Sequence, residues 1–249
     1  MSTTEVPSVP ATARERARAQ VKAELLDAAR ARLEADGAAE LSLRAVARDL
    51  GVASSAVYRY VESRDALLTL LIIETYDAVG AVAEQAAADA RARGADPART
   101  WLEVARAVRG WALAQPYAYE LIYGTPVRGY RAPDDTVPSA LRMWGVIVSV
   151  LQQAAEEGTL APAGPDFDPH GRVTPAVVAV VGGALGPVSD DVLRIASRSA
   201  TLFCSLLGAI SAELFGHLHR FADDYGALFD VTIATAAAGV GLHADLSDA

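Results

Sequence analysis

Residues 42–68 read SLRAVARDLGVASSAVYRYVESRDALL. Leu43, Val46, Ala47 and Leu50 recur at the spacing of one helix face, with Ser42 ahead of them as a cap. Gly51 stands where a helix ends in the left-handed conformation that a tight turn demands. Ser54 or Ser55 caps a second short helix running to about Tyr60. Ser63 caps a third, and Asp65 in its first turn suits the helix dipole. Val46, Ala47, Leu50, Val52 and Val57 supply a small apolar core. What remains for the surface of the middle helix is Ser54, Ser55, Tyr58, Arg59 and Tyr60.

Two short helices joined by a glycine turn form a helix-turn-helix, in which the first helix braces the second. Small residues from Ala53 to Ala56 let the start of the second helix come close to base edges. The hydroxyls of Tyr58 and Tyr60, and the free backbone N–H groups behind Ser42 and Ser63, are donors suited to phosphate oxygens. Ordinary packing of a tyrosine-bearing helix pair is the competing reading of the same pattern.

Outward from this stretch the chain reads as helix throughout. Val21, Leu25, Ala28, Ala29 and Leu33 define a helix over 13–36 that Gly37 stops. Further helices are expected from Ser63 to about Arg93, Pro97 to Gln115, from Pro116, Pro138 to Glu157, Ser189 to Leu218 and Phe221 to Leu242. Residues 1–12 read as a flexible tail, and 158–175, with its prolines and glycines, as a loop of disorder-prone composition. No strand alternation and no internal repeat is present. The expected fold is all-α, with a three-helix DNA-binding domain over 13–62 and a larger helical domain over 63–249.

The composition is globular, with 52% hydrophobic and 21% charged residues in 249. The net charge of −9 is unevenly spread: residues 1–64 carry 10 Lys+Arg against 9 Asp+Glu, and 65–249 carry 12 against 22. The acidity therefore lies in the C-terminal part, and a local cationic surface remains for phosphates. The apolar run Ala176 to Val188 is shorter than the roughly 20 residues of a membrane helix, and the N-terminus lacks a signal-peptide core. A cytoplasmic protein with no membrane partner is expected.

Residues 42–68 closely resemble the DNA-binding signature of TetR-type transcriptional regulators. The resemblance covers about residues 13–68 once the first helix is included. It implies that Ser42, Arg44, Ser63 and Arg64 lie at the DNA backbone. It also places Ser54, Ser55, Ala56 and Arg59 where bases are read, Tyr58 near base or phosphate, and Tyr60 near phosphate. Arg59 has the guanidinium that can bond guanine O6 and N7 together, with a phosphate contact as its alternative. Val61 and the Ser54-Ser55 pair depart from the family pattern. The stretches PYAYELIYGTP and LLGAISAELFGHL further resemble the WHG type of C-terminal domain, with Phe203 and Leu207 before Gly208 where that type has Trp and His.

The resemblance implies a C-terminal domain that binds a small molecule and dimerises. Tyr76, Trp111, Tyr123, Trp144 and Phe203 are the expected ligand-lining residues, simple core packing being the alternative for each. The small and apolar residues of 205–210 and 233–239 in the last two long helices are the expected homodimer face, packing within one subunit being the alternative. Partners are then a palindromic double-stranded operator and a small apolar or aromatic effector, with repression as the family habit. Response to a protein partner or to no ligand, and activation, are the alternatives. No cofactor, metal or catalysis is expected: His217 and His219 point to different helix faces, and no nucleophile or phosphate-loop motif occurs. Cys204, among Leu202, Phe203, Leu206 and Leu207, is expected to be buried and inert.

Overall fold

The computed structural model describes residues 12–174, 177 and 188–247. Of the expected segments, the tail before Thr12 and nearly all of Ala176 to Val188 lie outside the described residues. Among the described residues there is no strand, and nine α-helices follow one another. These are α1 (Ala13–Asp36), α2 (Leu43–Asp49), α3 (Ser54–Val57), α4 (Arg64–Ala92), α5 (Pro97–Ala114), α6 (Pro116–Tyr123), α7 (Val137–Glu156), α8 (Asp190–Leu214) and α9 (Tyr225–Val240).

Two compact units emerge. The first runs to Leu71 and includes Pro126–Arg131; the second takes Ile72–Thr125 and everything from Ala132. In the first unit, Leu25, Ala29 and Leu33 of α1 are buried with Leu43, Val46 and Ala47 of α2. These are one-face positions on both helices, so amphipathic burial forms the unit. Leu41, Val57, Val61, Leu67, Leu68 and Leu71 are buried with them.

In the second unit, α5, α7, α8 and α9 pack around Trp101, Leu102, Ile147, Leu151, Leu202 and Leu206, all at most 1% exposed. Two two-armed ion pairs run from α5 to its neighbours. Arg106 donates to both oxygens of Asp230 on α9 at 2.9 and 2.7 Å. Arg109 donates to both oxygens of Glu213 on α8 at 2.7 and 2.6 Å and lies 5.4 Å over the Phe229 ring. Arg142 of α7 grips Glu84 and Asp77 of α4. The guanidinium holds the Glu84 carboxyl below the usual carboxylate range.

Three expectations need correction. The loop over 158–174 is held by backbone bonds to the end of α9: Ala161 N–H to Gly241 O at 3.1 Å and Gly164 N–H to Gly239 O at 2.9 Å. Gly241, at φ 104°, leaves no room there for a Cβ. Val52 is 45% exposed and does not join the core, because the left-handed turn before it points it outward. Cys204 is exposed. Leu202 and Leu206 are buried two positions either side of it, and residues two apart on a helix face opposite ways, so their burial turns the thiol outward. By length and composition alone α4 and α8 also pass the test for a membrane-spanning helix, with 39% and 33% of their most apolar windows buried. Both are helices of the bundle, and an unbroken apolar run is a narrower test than the average over a helix.

Replacing Arg109 with alanine strands the largely buried Glu213 carboxylate, whose side chain is 16% exposed. Urea unfolding is expected to show a loss of about 2 kcal/mol. A change below about 0.5 kcal/mol would instead class the pair with exposed ones.

Candidate nucleic-acid interface and aromatic core

α2 ends in a Schellman turn. Val52 N–H reaches back to Ala47 O at 3.0 Å and Gly51 N–H to Arg48 O at 3.1 Å, with Gly51 at φ 67°. The chain is thereby turned sharply into α3. That helix starts at Ser54 with Ala53, not either serine, in the capping position and no side-chain cap. It is also shorter than its sequence reads. Regular helix ends at Val57, and tighter turn bonds carry the chain on, Arg59 N–H to Ala56 O and Tyr60 N–H to Val57 O. Ser42 occupies the capping position of α2, but its side chain makes no capping bond. Ser63 does cap, accepting from Ala66 N–H at 3.0 Å.

The outward face is the one the residues imply. Val57 and Val61 are buried. Ser55, Tyr58 and Arg59 are exposed, and Ser54, Ala56 and Tyr60 half-buried. Tyr58 is 48% exposed, an unusual placement for a large aromatic ring. Arg44 is exposed as well. Neither Arg44 nor Arg59 has an ion-pair partner among the described residues, whereas Arg32 and Arg64 of this unit are engaged. Arg32 of α1 donates through Nε and Nη2 to Asp49 at the end of α2, at 2.6 and 2.7 Å, and through Nη1 to Asp36 at 2.8 Å. The Asp49 carboxyl is accordingly held low by Arg32.

Arg64 is placed differently from what the resemblance implies. Its Nε donates to Leu41 O at 2.9 Å, and its Nη2 to Ala38 O and Ala39 O at 2.8 and 3.1 Å. It ties the first turn of α4 to the 3₁₀ turn Ala38–Glu40 that leads into α2. The Arg32 and Arg64 braces have no sequence signature, since the partners they reach across to lie 17 to 26 residues away and two of Arg64's are plain alanine carbonyls.

Four of the five expected lining residues meet. Tyr76 of α4 and Tyr123 of α6 stack edge-on at 5.9 Å. Tyr123 meets Phe203 of α8 at 6.4 Å, and Phe203 meets Trp144 of α7 at 4.8 Å. Trp144 Nε1 donates to Ser199 Oγ at 3.0 Å, and Tyr76 OH to Ile122 O at 3.3 Å. Trp111 does not join them; it is buried in the main core and makes no ring contact among the described residues. Tyr119 takes its place, 5.2 Å from Tyr123. Its hydroxyl bonds Leu207 O and Ser211 Oγ, each at 2.9 Å.

The Tyr123 hydroxyl is buried with no hydrogen-bond partner, and burial, then Tyr76 and Tyr119, push its pKa up. It is a neutral donor at any working pH. A separate apolar groove of about 430 Å³ lies on α8 and α9 and their connection, lined by Gly208, Leu218, Phe221, Tyr225 and Phe229 among others. Phe221 is 70% exposed. None of the five expected lining residues borders it. Among the described residues no His, Cys, Asp or Glu cluster is placed to hold a metal.

The two hydroxyls make opposite predictions. Tyr119→Phe removes a satisfied buried bond and should cost about 1 kcal/mol or more. Tyr123→Phe removes an unpaired buried hydroxyl and should leave stability unchanged or raise it. Thermal or urea unfolding of the two variants, without added ligand, checks the contrast.

Comparison with known proteins agrees with this geometry. Residues 25–71 match the family of bacterial regulatory proteins, tetR family, and residues 101–236 the tetracyclin repressor-like C-terminal domain. The HTH-type transcriptional regulators Rv1816 of Mycobacterium tuberculosis and Mb1846 of Mycobacterium bovis are each 36% identical to the chain over 228 residues. That spans 86% of this chain and 89% of theirs. A solved structure of a protein described as regulatory, SCO4313, is 33% identical, with a TM-score of 0.66 over 90% of this chain and 98% of that one. The TetR family regulator PfmR of Thermus thermophilus, 15% identical over 88% of this chain and 99% of its own, shares the fold at a TM-score of 0.52. These matches, over a braced helix-turn-helix that exposes Ser55, Tyr58 and Arg59 and is followed by this helical domain, make the chain a member of the TetR family of transcriptional regulators.

Proposed function

We propose that the chain is a homodimeric repressor of a palindromic operator, released by a small apolar or aromatic effector. The observation that carries the reading is the outward face of α3. Ser55 on α3, and Tyr58 and Arg59 just past it, stand exposed above the buried Val57, while Arg32 and Arg64 brace the flanking α2 and α4. In this reading Ser54, Ser55, Ala56 and Arg59 face bases, and Tyr58 touches base or phosphate. Ser42, Arg44, Tyr60 and Ser63 lie on phosphates. The uncommitted hydroxyl of Ser42 suits that role. Arg64 is a positioning residue that sets the start of α2 against α4. The protein works in the cytoplasm, where its duplex is.

The dimer forms through α8 and α9. Of the expected face, Leu206, Ile210, Ile233 and Ala237 are buried in the subunit's own core; Val231 on α9 and Phe221 in the α8–α9 connection are the strongly exposed apolar side chains here, and a two-fold partner removes them from water. Recognition helices then lie about one DNA turn apart, roughly 34 Å or somewhat more.

The effector binds among Tyr76, Tyr123, Phe203 and Trp144. The unpaired Tyr123 hydroxyl donates to an acceptor on it, and the rings take its apolar body. Tyr76 is on α4, the helix whose first residues follow the DNA-reading segment. A ligand that favours one position of Tyr76 by about 1–3 kcal/mol shifts α4 and with it the half-site spacing.

Selection of bound duplexes from a random pool at near-physiological salt should enrich a palindrome. Tyr58→Ala combined with Tyr60→Ala should abolish binding to that duplex while the dimer mass is kept. Enrichment of a single half-site, or retained binding by the double variant, would sink the reading.

A further inference from the structure

One segment of the helical domain's sequence belongs instead with the DNA-reading unit. Between α6 and α7 the residues Pro126–Arg131 cluster with the first unit. Their sequence is PVRGYR, with two cations and no acid, in a C-terminal part that is otherwise strongly acidic. The segment is ordered by a turn. Tyr130 N–H bonds Val127 O at 3.1 Å, and Gly129 at φ 80° takes the left-handed position. Arg128 is thus at the tip, exposed, and Arg131 just beyond, also exposed.

The turn is anchored. The Tyr130 hydroxyl and Thr69 Oγ1 are 2.9 Å apart, and Thr69 Oγ1 itself donates to Asp65 O, one turn closer to the start of α4. Thr69 is six residues past Ser63, about 9 Å along the helix. Neither Arg128 nor Arg131 has a hydrogen-bond or ion-pair partner among the described residues, although Asp65 is 58% exposed nearby and pairs with Arg64. A folded turn that holds two unpaired guanidinium groups on this unit is an uncompensated local positive charge. Guanidinium groups of this kind bind phosphate oxygens with two parallel bonds.

We propose that Arg128 and Arg131 form a second DNA-backbone contact, outside the helix-turn-helix, and that Tyr130 positions them through Thr69. The proposal rests on the DNA-binding reading above. Two phosphate contacts add affinity for any duplex and no preference among sequences.

The test is a salt titration of the full-length dimer on a random-sequence duplex and on the selected duplex. Arg128→Gln with Arg131→Gln should reduce the magnitude of the slope of log K against log salt by about 3.6 on both duplexes, four phosphate contacts per dimer at about 0.9 each. The ratio of the two affinities should hold. Arg172→Gln with Arg220→Gln is the charge-matched control in the other unit and should leave the slope unchanged. Tyr130→Phe, which keeps both charges, should weaken both duplexes equally.

An unchanged slope in the Arg128/Arg131 variant, or an equal drop in the control, overturns this proposal and leaves the helix-turn-helix reading standing. A wild-type chain that binds no duplex overturns both. A slope that falls with a changed sequence ratio makes these residues base readers and overturns the backbone assignment.

Discussion

A helix of one turn has no stability of its own, since nucleation costs more than its first hydrogen bonds return. α3, with its four residues, exists because its neighbours leave it nowhere else to be. The Schellman turn at Gly51 fixes where it starts, and Val57 and Val61 are buried beneath and just past it. Arg32 locks α2 to α1, and Arg64 locks the next helix to the turn before α2. The proposed reading face is therefore braced by contacts made on its other side. This is the arrangement a site needs when its contacts must be held to within fractions of an ångström.

The helical domain solves a different problem. α5 is the spine of its polar bracing, sending one arginine to α8 and another to α9. These pairs satisfy every oxygen of Asp230 and Glu213 with a fork that fits a carboxylate. The aromatic chain on the other side is less complete. Its rings touch, yet the Tyr123 hydroxyl has no protein partner. Thr100 Oγ1 and the Trp101 and Trp111 Nε1 atoms of α5 are likewise buried without a partner, so the forked ion pairs satisfy the carboxylates of this domain and leave several neutral polar groups unmatched.

Much of this is legible in the sequence. The helix spans fall within a few residues because Gly37, Gly51, Pro97 and Pro116 mark boundaries by backbone chemistry that needs no tertiary context. The meeting of Tyr76, Tyr123, Trp144 and Phe203 is legible as aromatic residues on helices. Trp111 is not separable from them, since a tryptophan looks the same in either place. The cap of α3 misleads because two serines side by side offer a cap that a one-turn helix after a tight turn has no room to use. Cys204 misleads through its neighbours in sequence, when its neighbours on the helix face are three and four residues away. The Arg32, Arg64 and Tyr130 contacts are invisible, because each joins residues far apart in sequence through partners of no special type.

The outward position of Cys204 has a practical side. It is the chain's single cysteine, so a thiol-reactive spin label or fluorophore goes to one position per subunit without any engineering. That position is on α8, a helix of the face assigned to dimerisation, and outside the DNA-reading unit. A pair of such labels in a dimer gives one distance, free of ambiguity about which site was modified. Its change on adding DNA or a candidate ligand follows the helical domain directly, in the unaltered protein.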